Sequence, residues 1–209
     1  NHKHRLQSEL EEEEAISLAK SLNINYEVMH LVEDHSKNFH ADAHNKRYDF
    51  FMQVAKKYNA GYIATAHHLN DNAETILLNL IRGSNLYGYG GINITQKRNN
   101  ITIVRPLMCV TKKEIKAYQE INNLTYYEDS SNSEDEFRRN RIRHHILPLL
   151  ENENPNILKE LNNYSKMMHE AFSFIRNMSI TYLNEHNNII DVESFKVLDN
   201  ALKKDIISL

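Results

Sequence analysis

Cysteine is almost absent from this sequence, since Cys109 is the only one in 209 residues. A single thiol cannot form a disulfide within the chain, and it excludes an iron–sulfur cluster or a cysteine-rich metal site built from this chain alone. Long hydrophobic runs are missing too. No apolar stretch approaches the roughly 20 residues that span a bilayer, and the first ten residues lack the apolar region of a secretory signal. We therefore expect a soluble protein without a membrane-spanning helix, with a reducing cytoplasm as the simplest compartment.

An excess of basic charge is also missing. The chain has 25 Lys and Arg against 28 Asp and Glu, a formal net charge of -3. This total does not indicate a nucleic-acid partner, so local clusters of charge are more informative than the sum. Hydrophobic residues make up 41% of the chain, enough for a real core. The length fits one large domain, or one domain plus a helical appendage.

Hydrophobic periodicity predicts helices that alternate with strands in the first part of the chain. The predicted helices lie over about 8–22, 41–58 and 71–82, and the predicted strands over 26–32, 62–66 and 101–107. The buried faces are predicted to be Tyr48, Phe51, Met52 and Ala55 in the second helix, and Ala73, Ile76, Leu77 and Leu80 in the third. This alternation is typical of an α/β fold with a parallel sheet and helices on both faces.

Other local signals complete the outline. Four of the five glycines fall within residues 82–91, which predicts a mobile loop. Thr111 followed by Glu114 predicts a capping box at the start of a helix. From about 137 to 186 the pattern is helical again. Breaks are expected near Pro148 and Pro155.

The strongest chemical signal is GYIATAHHLNDNAET, residues 61–75. A predicted buried strand runs into His67 and His68, and Asp71 and Glu74 follow at the start of a helix. Ligands of open α/β sheets bind beyond the carboxyl ends of the strands, and residues three apart in a helix lie on the same side. The two carboxylates could therefore bind Mg²⁺ or the ammonium group of an amine.

A structural alternative exists for the same residues. Asp71 could be a helix N-cap with Glu74 as its capping partner, which requires no ligand. Adjacent histidines are more often structural than metal ligands. A zinc hydrolase would require histidines at i and i+4 with a third ligand, and His67 and His68 are direct neighbours.

A second signal is the run FRRNRIRHHILPLL, which contains Arg138, Arg139, Arg141 and Arg143. Arginine binds phosphate and carboxylate groups through two parallel hydrogen bonds, so such a cluster could bind RNA or pyrophosphate. The alternative is a solvated helix face whose charge is balanced by the preceding acidic residues 134–136.

Four segments, in this order, resemble one protein family. NHKHRL (1–6) is similar to a stretch written NHxLR, and NKRYDFF (45–51) to RYxFF. ATAHHLNDNAETILLNLIRGS (64–84) is similar to ATAHHxDDQAETxLLRLLRGS. RPL…TKKEI…Y (105–118), continued by EDSSN…RRNRIRHHILPLLENENP (128–155), resembles RPLL…KxEI…Y…DxSN…RNxIR…PxL…NP. By these motifs, about three quarters of the chain resembles the tRNA(Ile)-lysidine synthases, which are N-type ATP pyrophosphatases.

The resemblance implies a fold, a reaction and partners. Residues 1–150 would belong to an adenine nucleotide alpha hydrolase-like domain, and 151–209 to a helical region that contacts tRNA and continues beyond Leu209. ATP would adenylate O2 of the wobble cytidine in the CAU anticodon of tRNA-Ile, and the ε-amine of L-lysine would then displace AMP to give lysidine. ATP and Mg²⁺ would be the cofactors. The oligomeric state is not implied, and a homodimer stays open.

Carried over by position, the resemblance also implies site residues. Asp71 and Glu74 match the acidic pair of the family, with Asp71 the candidate Mg²⁺ ligand, and Arg47 and Arg139 match its motif arginines; these four are the candidate catalytic residues. The candidate substrate- or tRNA-binding residues are Arg143, Asn140, His67 and His68.

The sequence departs from the family pattern in two ways. Asn70 and Asn72 stand where the family has aspartate and glutamine, so one acidic ligand is missing. The SGGxDS loop that binds pyrophosphate in the family does not occur in these residues. We therefore expect the parent protein to be the enzyme and this chain alone to be inactive. An RNA-binding module without enzymatic activity and a metal-dependent phosphohydrolase are the alternatives.

Overall fold

A computed structural model describes residues 7–30, 39–126, 135 and 137–209, with side chains from Glu9 onward and from His44 onward in the first two ranges. Within these residues the chain forms two compact units. The first comprises residues up to Thr65, residues 95–104 and residues 125–126, and the second comprises residues 66–94, 105–124, 135 and 137–209.

The described residues of the first unit form two helices and a small sheet. Its elements are α1 (Gln7–Ser21), α2 (Phe39–Lys57), β1 (Tyr62–Ala64), β2 (Thr95–Arg98) and β3 (Ile101–Val104). The strand order is β1-β3-β2, with β1 parallel to β3 and β2 antiparallel to it. The parallel pair is the one expected for an α/β protein. The antiparallel hairpin was not predicted from the sequence.

The predictions for this unit have mixed outcomes. The burial of Tyr48 and Ala55 on α2 is confirmed. The strand predicted over 26–32 is wrong for residues 26–30, which form no strand, and its last two residues lie outside the described part of the chain. The strand at 62–66 is present but shorter, and Tyr62 is 71% exposed rather than buried. Among the described strands β1 pairs only with β3.

The second unit is helical. Its elements are α3 (Leu69–Arg82), α4 (Leu86–Tyr89), a short 3₁₀ helix (Pro106–Cys109), α5 (Lys112–Ile121), α6 (Arg138–Arg141), a π-helical turn (Ile142–Ile146), α7 (Leu147–Glu153), α8 (Ile157–Glu185), α9 (Val192–Lys196) and α10 (Asn200–Ser208). The capping box of Thr111 and Glu114 is confirmed at the start of α5. Pro148 lies in the first turn of α7, which follows the π-helical turn directly, so the break predicted there is wrong. The break predicted near Pro155 is confirmed, because this residue lies between α7 and α8. None of the described helices combines the length and apolar character needed to cross a membrane.

The core of this unit joins α3 to the helices that follow the arginine run. It consists of Ala73, Leu78, Ile142, Leu147 and Leu158. The prediction that Leu80 faces inward is wrong, because Leu80 is 50% exposed and Leu78 is buried in its place. This packing fixes α3 relative to the π-helical turn, and it therefore fixes the polar residues that both elements carry.

Residues 82–91, predicted as a mobile loop, include α4 and are held by specific contacts. The Asn85 side chain accepts a hydrogen bond from the Gly88 amide at 2.9 Å, and the Ser165 hydroxyl of α8 donates to the Gly90 carbonyl. Gly91 has a φ of 70°, and a Cβ there would collide with Asn72 and Ile76 of α3. The glycines thus allow a close approach to α3 and α8.

His169 on α8 forms part of this contact and predicts a dependence of stability on pH. Its ring meets the ring of Tyr87 edge to face, with centroids 5.5 Å apart. Burial lowers the pKa of His169 below its ordinary value of 6.5, and a backbone contact with Gly90 opposes this only in part. As the pH falls below 6.5, the unfolded chain takes up the proton first, so this contribution to stability is lost as the pH passes through the lower pKa of the folded state.

We expect the melting temperature of the wild type to fall as the pH is lowered below 6.5, and to fall less in His169→Gln, which cannot titrate there. Thermal unfolding followed by circular dichroism over this range measures the difference. An identical pH profile in the variant would show that His169 does not contribute. His68, whose pKa is lowered by burial as well, accounts for part of the remaining slope.

Candidate functional site

Asp71 lies in the first turn of α3, which follows β1 after a short connection. The Leu69 amide donates to the Val110 carbonyl at 3.0 Å, which holds the start of the helix. His68 is the N-cap residue, and its backbone amide donates to Oδ2 of Asp71 at 3.0 Å. A capping role for Asp71 is therefore real, but the partner is His68. The alternative that paired Asp71 with Glu74 in a capping box is wrong.

The second carboxylate oxygen of Asp71 has a different partner. Oδ1 accepts a hydrogen bond from Nη2 of Arg139 at 3.1 Å. The Asp71 side chain is 16% exposed and that of Arg139 is 40% exposed. The Asp71 carboxylate thus caps the N-terminus of α3 with one oxygen and binds Arg139 with the other. The capping and the functional interpretation of Asp71 are compatible.

Glu74 is the most deeply buried charged residue of this group, with 1% of its surface exposed. Nε of Arg139 donates to its Oε2 at 2.6 Å. Arg143 forms two hydrogen bonds to the same carboxylate, from Nε to Oε1 at 2.6 Å and from Nη2 to Oε2 at 3.0 Å. The expectation that Asp71 and Glu74 face the same side of α3 is confirmed, since both contact Arg139. We call Asp71, Glu74, Arg139 and Arg143 the charge cluster.

The arginine run divides into an inner and an outer pair. Arg139 and Arg143 are four residues apart and reach Glu74 together, because the π-helical turn follows α6 without a break. Arg138 and Arg141 are exposed, and Nη1 of Arg141 donates to the Asp135 carbonyl at 2.8 Å. The hydrogen bonds to Glu74 raise the pKa of Arg143 against the opposing effect of burial. Arg143 therefore stays charged.

His68 lies beside this cluster, and His67 precedes it in the chain. His68 is half-buried, and burial lowers its pKa; the charges of Asp71 and Glu74 oppose the shift, while Lys112 and Arg143 add to it. We expect His68 to be neutral at pH 7. Nδ1 of His68 lies 3.4 Å from Oδ2 of Asp71. His67 is partly buried at the preceding position. Among the described residues no group of three or more His, Cys, Asp or Glu side chains could hold a metal ion by itself.

The two asparagines that depart from the family pattern are part of the scaffold. Oδ1 of Asn70 accepts a hydrogen bond from the Lys112 amide at 2.8 Å, in the first turn of α5. Oδ1 of Asn72, which is 1% exposed, accepts one from the Ile92 amide at 2.8 Å. Sequence reasoning missed both contacts, and it missed that Lys112 lies near His68. Only the spatial approach of α5 to α3 reveals them.

We expect Asn70→Ala to destabilise the protein by about 1 kcal/mol, because a first-turn amide of α5 loses its acceptor. Asn70→Asp retains the acceptor and adds a negative charge at a helix N-terminus, so it should be at least as stable as the wild type. Thermal unfolding of the three proteins compares them. A wild-type melting temperature in Asn70→Ala would show that water replaces the side chain without loss.

The remaining candidates occupy separate positions. Asn140 on α6 is buried at 8% exposure and belongs to the same unit as the charge cluster. Arg47 is exposed on α2 of the first unit. No contact among the described residues tests the predicted role of Arg47, which stays a prediction. The segments at 1–6 and 128–132, which contribute to the family resemblance, lie outside the described residues.

Comparison with known proteins gives a consistent result. Residues 1–150 match the PP-loop domain family. A tRNA(Ile)-lysidine synthase of Geobacillus kaustophilus is 37% identical over 169 residues, which are 78% of this chain and 36% of the relative. One from Francisella philomiragia is 32% identical over 196 residues, 91% of this chain and 48% of the relative. The chain thus spans less than half the length of these curated relatives.

A solved structure supports the fold. The U34-tRNA thiolase NcsA from Methanococcus maripaludis, determined with its 4Fe-4S cluster, superposes with a TM-score of 0.62 at 18% identity. The match covers 75% of this chain and 55% of that one. At this identity the likeness concerns the fold alone. It confirms the α/β class predicted from the sequence.

Proposed function

The chain belongs to the PP-loop domain family, and on this basis we propose that it forms part of a tRNA(Ile)-lysidine synthase. The proposed reaction adenylates O2 of the wobble cytidine in the CAU anticodon of tRNA-Ile with ATP, and the ε-amine of lysine then displaces AMP. Residues 1–150 supply the catalytic domain in this proposal, and 151–209 the start of a helical tRNA-contacting region. The observation that carries it is the charge cluster on α3 and the arginine run.

Each member of the cluster has a role that follows from its contacts. Nε and Nη2 of Arg139 bind the two carboxylates, whereas Nη1 has no hydrogen-bond partner among the described residues. A guanidinium held on one edge and open at Nη1 is prepared to bind a phosphate oxygen or to stabilise charge on a leaving group. Asp71 supplies negative charge for the lysine ammonium. Glu74 is 1% exposed, against 16% for Asp71, and both of its oxygens accept from arginines, so it positions the arginines.

The donor set also fits a nucleotide-bound Mg²⁺. Magnesium is commonly held by one or two carboxylates together with substrate phosphates and water, and Asp71 is the partly exposed carboxylate of the cluster. Asp71 would hold the ion, and the ion would neutralise phosphate charge. His67, His68, Asn140 and Arg47 are proposed to contact the nucleotide or the tRNA.

The cluster belongs to one chain, so a homodimer is not required to complete it. A reaction that consumes ATP and tRNA belongs in the cytoplasm, which is the compartment that we propose. The two alternatives make different predictions. An RNA-binding module would bind tRNA without transferring lysine, and a phosphohydrolase would turn over without tRNA.

The test uses the full-length protein that contains this chain. Labelled lysine is followed into a tRNA-Ile transcript with a CAU anticodon, in the presence of ATP and Mg²⁺, with a transcript carrying a CAG anticodon as the control. Lysine incorporation into the first transcript alone supports the proposal. Tight tRNA binding without incorporation would overturn it in favour of the RNA-binding module.

A further inference from the structure

The charge cluster contains a second arginine, Arg143, which is paired with the buried carboxylate of Glu74. Nε and Nη2 of Arg143 are directed at Glu74, and both oxygens of that carboxylate accept from it. The Arg143 side chain is 24% exposed and Glu74 is almost fully buried. A guanidinium paired with a buried carboxylate in this way stabilises the arrangement of the protein's own side chains.

The balance of charge within the cluster shows what Arg143 contributes. Asp71 and Glu74 supply two negative charges, and Arg139 and Arg143 supply two positive ones. Without Arg143, the single charge of Arg139 would be outweighed by two carboxylates. An approaching polyanion such as ATP or RNA would then meet a negative site.

Arg143 also affects the orientation of Arg139. Oε2 of Glu74 accepts from Nε of Arg139 and from Nη2 of Arg143, so the two arginines share one oxygen. Arg143 fixes the other oxygen, Oε1, at 2.6 Å. Because Arg143 fixes the orientation of the Glu74 carboxylate, Arg139 binds it through Nε. Nη1 of Arg139 lies on the other side of the guanidinium and is not used in this contact.

We propose that Arg143 is a positioning residue, which neutralises Glu74 and thereby allows Arg139 to present Nη1 to the anionic substrate. This inference rests on the proposed function and deepens it. It differs from the expectation that Arg143 binds tRNA directly. A positioning role and a direct binding role of Arg143 predict different results. A positioning role changes the KM for anionic ATP but not for cationic lysine, and its effect depends on Glu74.

The experiment measures steady-state kinetics of lysine incorporation by the full-length protein and three variants, Arg143→Met, Arg143→Lys and the double variant Glu74→Gln/Arg143→Met. In Arg143→Met we expect the KM for ATP to rise roughly 10- to 30-fold, as for one uncompensated charge near the surface. The KM for lysine, a cation, should be unchanged or lower. Arg143→Lys keeps the charge and should retain the KM for ATP, with a lower kcat from the lost two-point contact.

The double variant provides the decisive comparison. Removing Glu74 and Arg143 together restores the balance between Asp71 and Arg139, so the KM for ATP should return to within about threefold of the wild type. If Arg143 binds substrate directly, the increase in KM persists in the double variant and the inference is overturned. Equal increases in the KM values for ATP and lysine would overturn it as well, since they indicate a general structural loss.

Two controls keep the outcomes distinct. Arg138→Met removes an exposed arginine from α6, the helix that carries Arg139, and should leave both KM values unchanged. Absence of lysine incorporation by the wild type would refute the proposed function itself, whereas normal wild-type kinetics with no rescue by the double variant would refute only the role of Arg143. If Arg143→Met does not fold, the comparison of Arg143→Lys and the double variant with the wild type still decides the question.

Discussion

Replacing Glu74 by glutamine should cause the largest loss of stability of any single substitution in the cluster. The change leaves Arg139 and Arg143 facing a buried neutral amide. Breaking a buried ion pair by removing one partner costs about 3–5 kcal/mol. The arginine side chains are 40% and 24% exposed, so solvent screening lowers the expected loss to about 2–3 kcal/mol.

For a domain of this size, that loss corresponds to a fall in melting temperature of roughly 5–10 °C. Differential scanning calorimetry of the full-length protein measures the transition of the domain that contains α3. Glu153→Gln, at an exposed position on α7, is the matched control and should melt like the wild type. A change of less than 1 °C in Glu74→Gln would show that water solvates the two arginines in place of the carboxylate.

Asp71→Asn should have the largest effect on activity. The asparagine oxygen can still accept the His68 amide, so the start of α3 is retained, but the hydrogen bond from Nη2 of Arg139 to Oδ1 is lost. The negative charge, however, is lost from the site where the lysine ammonium and the nucleotide-bound metal are proposed to bind. Loss of one electrostatic contact of this kind typically lowers turnover by about 10²- to 10³-fold. We expect lysine incorporation to fall by that factor, with a change in stability of no more than about 1 kcal/mol.

A second capping aspartate in the same chain gives the control. Asp191 accepts from the Ser194 amide at 2.8 Å at the start of α9, where it is exposed. Asp191→Asn makes the same chemical change at a helix start outside the site, and activity should be retained. Wild-type turnover in Asp71→Asn would leave Asp71 with its capping role only. The proposed reaction could still hold in that case, with the acidic contact supplied elsewhere.

Part of the site could be predicted from the order of residues along the chain. Asp71 and Glu74 are three residues apart, so helix geometry alone places them on one side of α3. Arg139 and Arg143 are four apart on a helical segment, and they share a face for the same reason. Helix bounds were predicted within a few residues at α1, α2 and α3. Local periodicity and side-chain spacing are sufficient for these features, because both act over one or two turns.

Other features depend on partners that are distant in the chain. The apolar run at 26–30 has the composition of a strand, but it forms none, because a strand also needs a neighbour to pair with. Leu80 lies on the apolar side of α3 by spacing, yet α8 and the π-helical turn cover Leu78 instead. The approach of α5 to α3 decided the roles of Asn70 and Lys112, and no local pattern encodes that approach.

The sequence by itself determined the fold class, the family and the identity of the four charged residues, because these depend on motifs and short-range periodicity. Only the tertiary structure decided which of the four charged residues pair with each other and which are buried. It brought residues 139 and 143 against a carboxylate at 74, buried Glu74 while leaving Asp71 partly accessible, and left Nη1 of Arg139 without a hydrogen-bond partner among the described residues. Burial and pairing depend on which surfaces meet, and that is a property of the packed chain.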